Sequence, residues 1–317
     1  MRRENQSAQG ELSVMNSSES CVKVDVHSIA AQPLESLMES AWDIRFRSFG
    51  ADIEWVNPIR TAVLSVTGTA CALNCGHCGG EYLKHMLPIE RWRELNPSEI
   101  SSCLISGGCD GLGRVPIDKY IELVPELASK WKLNMHLGLA SEEVIRKIAP
   151  FCSVASFDFV VDDDTIREVY GFRGSKQIFL KTYNTMGDHI RVVPHICIGL
   201  RAGQISGELD AVRALADIGA DAIVFIVFIP TPGTRYQGSL PPPVEGVVRI
   251  IATARCVFPT TPIYLGCMRP HGRYRHSLDS MAIRAGVNRI VAPTGQARAE
   301  AQTLGLNSSW IEECCAL

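Results

Sequence analysis

Three cysteines crowded into one short loop are the residues of this chain best suited to metal chemistry. Cys71, Cys75 and Cys78 have the spacing C-x3-C-x2-C and directly follow the apolar run 61–66. A loop that returns three thiolates to one point can hold three corners of a [4Fe–4S] cube, which leaves the fourth iron without a protein ligand. A structural zinc site normally closes with four ligands, and nothing nearby supplies the His-x-Glu context of a zinc deaminase. Packing of three free cysteines in the core is the remaining alternative.

The elements that must position this loop alternate between strands and helices. Strand-like apolar runs occur at 62–67, 102–106, 133–137, 154–161, 190–200, 222–229, 262–268 and 289–293. Helical candidates occur at 117–131, 141–148, 207–218, 244–257, 278–285 and 297–304. This alternation predicts an α/β protein, and eight strands are the number that closes a (β/α)8 TIM-type barrel. The alternative is an open six-stranded barrel with the last two strands in a separate extension.

The same patterns divide the chain into four predicted regions. Residues 1–30 are polar and Ser-rich, which predicts a flexible tail. Residues 31–58 predict a helical cap, and residues 59–300 predict the barrel. Residues 301–317 form an extension that ends Glu-Cys-Cys-Ala-Leu and is predicted to fold over the barrel mouth. Because such barrels carry their chemistry on loops at the carboxyl ends of the strands, the residues after each strand are the candidates for function.

Composition excludes several classes of protein. Hydrophobic residues make up 46% of the 317 residues and charged residues 21%, which indicates a globular protein with a large core. A net charge of −3 gives no electrostatic footprint for nucleic acid. No apolar run approaches the ~20 residues of a membrane span, and no apolar segment of a secretory signal follows the N-terminus. Twelve cysteines then predict cofactor ligands and free thiols in the cytoplasm rather than disulfides.

The cysteine loop resembles the radical S-adenosylmethionine (SAM) superfamily, whose hallmark is this spacing. The resemblance implies that the open iron chelates the amine and carboxylate of SAM. Reductive cleavage would then give a 5'-deoxyadenosyl radical that abstracts hydrogen from an unactivated carbon. The residue before the third cysteine is usually aromatic in that superfamily, and here it is His77, whose imidazole can still lie against the adenine.

Two further loops match positions that bind SAM in that superfamily. Gly107 and Gly108 match a Gly-Gly-Glu position, where glycines let the backbone approach the amino group of SAM. Cys109 replaces the glutamate and is either a ligand at the barrel mouth or an incidental cysteine in a turn. Gly199 and Leu200 resemble the backbone that contacts the adenine.

Strand 190–200 and the loop after strand 262–268 supply other candidates. Two-residue alternation places His195 and Cys197 on one face, which predicts that both face the barrel lumen. Biotin synthase carries a cluster-ligating cysteine on a comparable strand, so Cys197 is either a ligand or a small buried residue. Arg269, in Cys-Met-Arg-Pro, is predicted to bind a carboxylate or a cluster-bound anion with its guanidinium fork.

Four other cysteines predict a second metal centre. If the C-terminal extension folds back over the barrel, Cys314 and Cys315 could join Cys109 and Cys267 as ligands of an auxiliary [4Fe–4S] cluster. Both members of the adjacent pair need not bind, because tandem ligation is sterically demanding.

Over residues 60–317 the motif set resembles one subunit of the two-protein lipoyl synthase, a relative of biotin synthase. This resemblance implies a sulfurtransferase that works with a second radical SAM subunit and a reductant such as ferredoxin or flavodoxin. Its substrate would be an octanoyl group on a lysine of a lipoyl domain or glycine-cleavage H protein, and the auxiliary cluster would be the source of sulfur. Three alternatives stay open: a single-cluster lyase or methyltransferase that matures a cofactor, a biotin-synthase-like sulfurtransferase for a small molecule, and a non-enzymatic cluster carrier.

Overall fold

Strands and helices alternate along residues 24–317, the part of the chain described by this computed structural model. Cys21 and the rest of residues 1–23 of the predicted tail lie outside the described residues. The strands are β1 (Asp52–Val56), β2 (Thr61–Ser65), β3 (Leu87–Pro88), β4 (Ser102–Ser106), β5 (Lys132–His136), β6 (Val154–Asp158), β7 (Val192–Ile198), β8 (Ile223–Val227), β9 (Ile263–Leu265), β10 (Arg289–Val291) and β11 (Asn307–Ile311).

The helices cover one face of these strands. They are α1 (Val26–Ala30), α2 (Leu34–Phe49), α3 (Val124–Ala128), α4 (Glu142–Ile148), α5 (Asp163–Thr165), α6 (Lys176–Gly187), α7 (Glu208–Ile218), α8 (Val244–Val257), α9 (Arg273–Arg284) and α10 (Gly295–Thr303). Short 3-10 turns occur at Glu81–His85, Ile89–Glu94, Ile117–Tyr120 and Ala149–Phe151, and a π turn occurs at Ile166–Tyr170.

All the strands belong to one parallel sheet in the order β11-β1-β10-β9-β8-β7-β6-β5-β4-β2-β3. The eight predicted strands are β2 and β4 to β10, and they follow one another around the sheet in chain order. The predicted α/β class and strand set are therefore confirmed. The sheet curls without closing by hydrogen bonds, because β10 pairs with β1 and not with β2.

Local capping signals explain where several helices begin. The side chain of Ser141 accepts a hydrogen bond from the backbone of Val144, and two acidic residues follow in the first turn of α4. Thr294 caps α10 in the same way, by accepting from the backbone of Ala297. The structure adds α6, which the sequence pattern did not predict, and it places α1 within the stretch predicted to be a tail.

Alternation along each strand separates an outer apolar face from an inner face with polar residues. On β5, for example, Leu133 and Met135 pack in the main apolar core, whereas Asn134 and His136 lie on the opposite face. The inner faces surround a lumen whose carboxyl-end opening we call the mouth and whose amino-end closure we call the floor. None of the helices described between residues 24 and 317 has the length and apolar character needed to cross a membrane.

The chain after β11 turns into the floor of the lumen, so the prediction that it folds over the mouth is wrong. Lys132, the first residue of β5, forms an ion pair with Glu313 at 2.7 Å. Arg191, directly before β7, donates to the carbonyl of Ala316 at 3.0 Å. Ala316 is fully buried against inner-face residues of the sheet, namely Val154, Val193, Ala222, Val224 and Tyr264. Apolar contacts and hydrogen bonds from arginine side chains therefore hold the tail at the floor.

Candidate active site

The loop that carries the three clustered cysteines follows β2 and is tied to two neighbouring loops. The backbone N–H of Ala72 donates to the carbonyl of Cys109 at 2.8 Å. The N–H of Cys109 in turn donates to Sγ of Cys71 at 3.3 Å. Further along, the N–H of Gly76 donates to the carbonyl of Val169 at 2.8 Å. These bonds fix the loop at the mouth of the lumen.

The three thiols supply a donor set suited to an iron–sulfur cube. A hydrogen bond from Cys75 lowers the pKa of the Cys78 thiol to about 7, and the same contact raises the pKa of Cys75. Within residues 24–317, no three Cys, His, Asp or Glu side chains are grouped so as to hold a single metal ion. A cube instead binds each thiolate through a different iron, so its ligands stand farther apart than those of one ion.

Gly107 and Gly108 pack directly against the cysteine loop. A Cβ at Gly108 would lie 2.0 Å from the carbonyl oxygen of Ala70 and 2.7 Å from Cα of Cys71. A Cβ at Gly107 would lie 2.9 Å from Val66. Only glycine allows this approach, so the backbone after β4 can lie directly against Cys71.

His77 presents a neutral imidazole in the same region. Burial lowers its pKa to about 4, and its Nδ1 is buried without a hydrogen-bond partner among the described residues. The rings of Tyr82 and Tyr170 lie 6.4 and 6.1 Å away, between centroids. An uncharged heteroaromatic ring with an unsatisfied nitrogen fits the predicted role of contacting an adenine.

Two adjoining cavities open below this loop. The first has a volume of about 130 Å³ and a largely apolar lining that includes Leu73, Val115, Leu139, Phe157, Phe172 and Phe179. The second has a volume of about 210 Å³ and is lined by His77, Tyr82, His195, Cys197, Leu200 and Met268, among others. His136, Asp158 and Tyr170 line both cavities, so the two form one continuous site.

Two histidines, His136 on β5 and His195 on β7, lie side by side on the wall of the lumen, on either side of β6. The rings of His136 and His195 are 5.5 Å apart, and burial lowers the pKa of each to about 4. Nδ1 of His195 lies 3.0 Å from the carbonyl of Val193, so Nδ1 carries the proton and Nε2 is left as an acceptor. The prediction that His195 and Cys197 face the lumen is confirmed. His136 was missed, although it alternates with Met135 and Leu137 on β5.

Asp158, at the end of β6, supplies the carboxylate of the site. It is accessible from both cavities and has no hydrogen-bond partner among the described residues. It was not among the predicted site residues, because acidic residues follow it closely and cap a helix. Asp162 does cap α5, by accepting from the backbone of Thr165 at 3.1 Å.

The structure separates two residues predicted to contact SAM, Gly199 and Leu200. The N–H of Gly199 is already used, since it donates to Oε1 of Glu208 at 2.7 Å. Leu200 lines the second cavity. Gly199 therefore shapes the turn after β7, while Leu200 keeps its predicted place beside the site.

Arg269 does not face the site, so its predicted role in binding an anion is wrong. Its side chain is fully buried and forms two bonds to the carboxylate of Asp279, at 2.6 and 3.0 Å. It also donates to the carbonyls of Gly266 and Val291, at 2.6 and 2.8 Å. The guanidinium joins α9 to the ends of β9 and β10. The partner on α9 could not be identified from the loop sequence.

The four cysteines predicted to hold a second cluster do not meet at one point. Cys109 lies beside Cys71 at the mouth, and burial raises its pKa to about 12. Cys314 and Cys315 lie on the floor, where a hydrogen bond from Cys315 lowers the pKa of Cys314 to about 6. Burial and then the charge of Cys314 raise the pKa of Cys267, which follows the carboxyl end of β9.

Comparisons with known proteins agree with this geometry. No family model matches the chain. The biotin synthase of Campylobacter hominis is 20% identical over 297 residues, which cover 86% of this chain and 85% of that protein. The biotin synthase of Ruthia magnifica subsp. Calyptogena magnifica is 22% identical over 281 residues, which cover 84% of this chain and 85% of that protein.

Solved structures share the fold. Methylornithine synthase matches with a TM-score of 0.65 and 16% identity, over 90% of this chain and 93% of that one. The [FeFe]-hydrogenase maturase HydG from Carboxydothermus hydrogenoformans matches with a TM-score of 0.67 and 15% identity, over 90% of this chain and 75% of that one. At these identities the solved structures show a shared fold.

Proposed function

We propose that this chain is a radical SAM sulfurtransferase and one subunit of a two-protein lipoyl synthase. Its substrate would be an octanoyl-lysyl group on a lipoyl domain or glycine-cleavage H protein. The observation that carries the proposal is the placement of cysteines at both ends of one lumen: Cys71, Cys75 and Cys78 at the mouth, and Cys314 and Cys315 on the floor. A substrate held between them would contact both centres.

The residues of the mouth would hold the first cluster and SAM. When bound, this pair would supply a 5'-deoxyadenosyl radical, and a second cluster would supply sulfur. The chain's own contribution at the mouth is to hold the loop rigidly and exclude water. The backbone N–H of Tyr236 donates to the carbonyl of Gly76 at 3.0 Å. The ring of Tyr236 packs so closely on Gly76 that a Cβ at Gly76 would lie 2.6 Å from the ring atoms.

For the second cluster we propose Cys267, Cys314 and Cys315 as the ligand set, without Cys109. A hydrogen bond with Cys314, burial and the charges of Cys314 and Cys267 raise the pKa of Cys315, which supports this set, whereas Cys109 is bonded to the loop at the mouth. This differs from the set that the sequence predicts, because the tail enters from the floor.

The lining of the lumen supports an aliphatic substrate. Val115, Leu139 and Phe179 line the first cavity, and they can desolvate a hydrocarbon chain. The adjacent His136 and His195 are neutral at pH 7 because burial lowers the pKa of each to about 4. Their acceptor nitrogens can orient an amide N–H, beside the carboxylate of Asp158.

An anaerobic assay tests the proposal. The reconstituted chain would be incubated with octanoyl-lysyl peptide, SAM, a ferredoxin or flavodoxin reductant and a candidate second subunit. The mass of the peptide would then be measured by mass spectrometry. We expect a gain of one or two sulfurs that depends on Cys71 and on Cys314. Formation of 5'-deoxyadenosine with no sulfur in the peptide would contradict the proposal.

Sulfur insertion into a small molecule is the second candidate, and the likeness to biotin synthases favours it. It uses the same two centres and differs only in what enters the lumen. A parallel assay with free octanamide in place of the peptide separates the two. Sulfur in the free amide but not in the peptide would favour the small-molecule enzyme.

A further inference from the structure

A chain of buried hydrogen bonds runs from the wall of the lumen to the cysteine pair on its floor. The hydroxyl of Ser156 donates to Oδ1 of Asn134 at 2.9 Å. Nδ2 of Asn134 then donates to Sγ of Cys314 at 3.2 Å. Asn134 is completely buried and Ser156 is 2% exposed, so water does not compete with either bond.

The setting makes an asparagine costly at this position. Asn134 is paired with Val154 across the sheet, and its partner sulfur packs among Val193, Val224 and Tyr264. A buried amide without partners costs about 1–3 kcal/mol, and an apolar residue of similar shape would avoid that cost. We therefore infer that the amide is present to form a hydrogen bond, and that its acceptor is the sulfur of Cys314.

We propose that Asn134, aligned by Ser156, is a positioning residue for the sulfur of Cys314 in the second metal centre. The proposal rests on the proposed function, since it assigns Cys314 a metal to bind. A metal-bound thiolate only accepts hydrogen bonds, so the NH2 group of the amide must face it, and the hydroxyl of Ser156 holds Oδ1 on the other side.

Such a bond has two physical consequences. It fixes the direction in which Cys314 presents its sulfur, and it stabilises negative charge on that sulfur. Hydrogen bonds to cluster sulfurs help to set reduction potentials, and stabilising the more negative, reduced form raises the potential. Loss of a partner in the outer shell of a metal site typically costs about 10- to 100-fold in metal affinity.

The test uses the full chain with Cys71, Cys75 and Cys78 replaced by alanine, so that only the second centre remains. Into this parent we introduce Asn134→Leu, which keeps the size of the side chain, or Ser156→Ala, which only frees the amide to turn. Ser102→Ala is the matched control, because Ser102 is equally buried but bonds to Thr61 at 2.8 Å and not to the tail.

The readouts are the midpoint potential of the reconstituted centre and the rate at which a chelator removes its iron. We expect Asn134→Leu to lower the potential and to speed iron loss by about 10- to 100-fold, with a smaller change in the same direction for Ser156→Ala. Potentials and rates equal to those of Ser102→Ala would overturn the proposal.

A second measurement separates this proposal from the proposed function. If the parent assembles no cluster, the sulfur-insertion proposal is contradicted. The hydrogen bonds from Ser156 through Asn134 to Cys314 are then tested on the cluster-free chain labelled with ¹⁵N-asparagine. We expect the side-chain NH2 protons of Asn134 to exchange slowly with water, and faster in Ser156→Ala. Exchange as fast as that of exposed amides would show that the hydrogen bond from Asn134 to Cys314 is not formed.

Discussion

At the scale of single residues, close packing against the cysteine loop restricts position 108 to glycine. A Cβ at Gly108 would lie 2.0 Å from the backbone of Ala70, which a rigid loop cannot relieve. We predict that Gly108→Ala displaces Cys71, abolishes binding of the first cluster and costs about 1–3 kcal/mol of stability. Iron analysis and thermal unfolding measure the two effects.

The matched control for that change lies in the same loop. A Cβ added at Gly111 would meet no heavy atom within 4 Å, so Gly111→Ala should leave iron binding and stability unchanged. Equal iron content in the Gly108 and Gly111 variants would show that the close approach does not matter for the cluster.

The cysteines themselves can be separated by role. Cys75→Ala should remove about four irons per chain and all 5'-deoxyadenosine formation, because three ligands are needed to hold the cube. Cys256, half-buried on α8 outside the lumen, supplies the comparison. If Cys256→Ala lost iron to the same extent, the loop would not be a distinct cluster site.

The buried histidines predict how stability depends on pH. Burial lowers the pKa of His136 and of His195 to about 4, below the usual value near 6.5, so the unfolded chain binds more protons between these two pH values. Stability is therefore full above about pH 6.5 and is lost as the pH falls toward 4. Each histidine should contribute about 2 kcal/mol of loss between pH 7 and pH 5.

Urea unfolding of the cluster-free chain at the two pH values measures this loss. In His195→Gln the difference between pH 7 and pH 5 should shrink by about 2 kcal/mol, since one buried titrating group is gone. An unchanged difference would mean that His195 is not held neutral by burial.

Among the site residues, sequence reasoning succeeded where the chemistry is local. The spacing of Cys71, Cys75 and Cys78 and the alternation of His195 with Cys197 along one strand need no knowledge of distant residues. The prediction for Arg269 failed for the opposite reason: its partner Asp279 lies on a later helix, and backbone carbonyls take the remaining donors of the guanidinium. A basic run in a loop does not reveal whether its charge is already paired.

At the scale of elements, the tail after β11 determines where the second group of cysteines lies. It buries Ala316, pairs Glu313 with Lys132 and accepts from Arg191 through a carbonyl. We predict that ending the chain after Glu312 lowers the free energy of unfolding by about 2–4 kcal/mol, because buried apolar surface and arginine donors lose their partners. The same deletion should remove about four irons.

A cysteine-only variant distinguishes the two roles of the tail. Cys314→Ser with Cys315→Ser keeps the backbone contacts of the floor but not the thiolates. It should lose the same iron as the deletion and much less stability. A deletion that changes neither stability nor iron content would contradict both the packing and the metal-binding role of the tail.

The strands also show which elements the periodicity of the sequence can predict. The eight predicted strands are present because each is an apolar run of strand length bounded by turns or helices. β1, β3 and β11 were missed. β1 follows a helix directly, β3 is only two residues long, and β11, Asn307–Ile311, is mostly exposed and polar. The parallel pairing of β1 with β11, Asp52 with Asn307 through Val56 with Ile311, steers the tail to the floor and could not be derived from either segment alone.

At the scale of the whole molecule, one lumen joins two groups of cysteines through a largely apolar middle that also carries Asp158 and two neutral histidines. The mouth was predicted because the superfamily motif is contiguous in sequence. The floor was not, because it depends on a C-terminal segment meeting β5 at Asn134 and β10 at Arg289, whose guanidinium donates to the carbonyl of Cys315. Long-range docking of this kind leaves no local periodic signal.

The iron content of the anaerobically reconstituted chain tests the two-centre proposal most directly. Each cube holds four irons, so two centres predict about eight irons per chain, with about four left after Cys71, Cys75 and Cys78 become alanine. About four should also remain when Cys314 and Cys315 become alanine instead. About four irons in the intact chain, and none after loss of the mouth cysteines, would contradict the presence of a second centre.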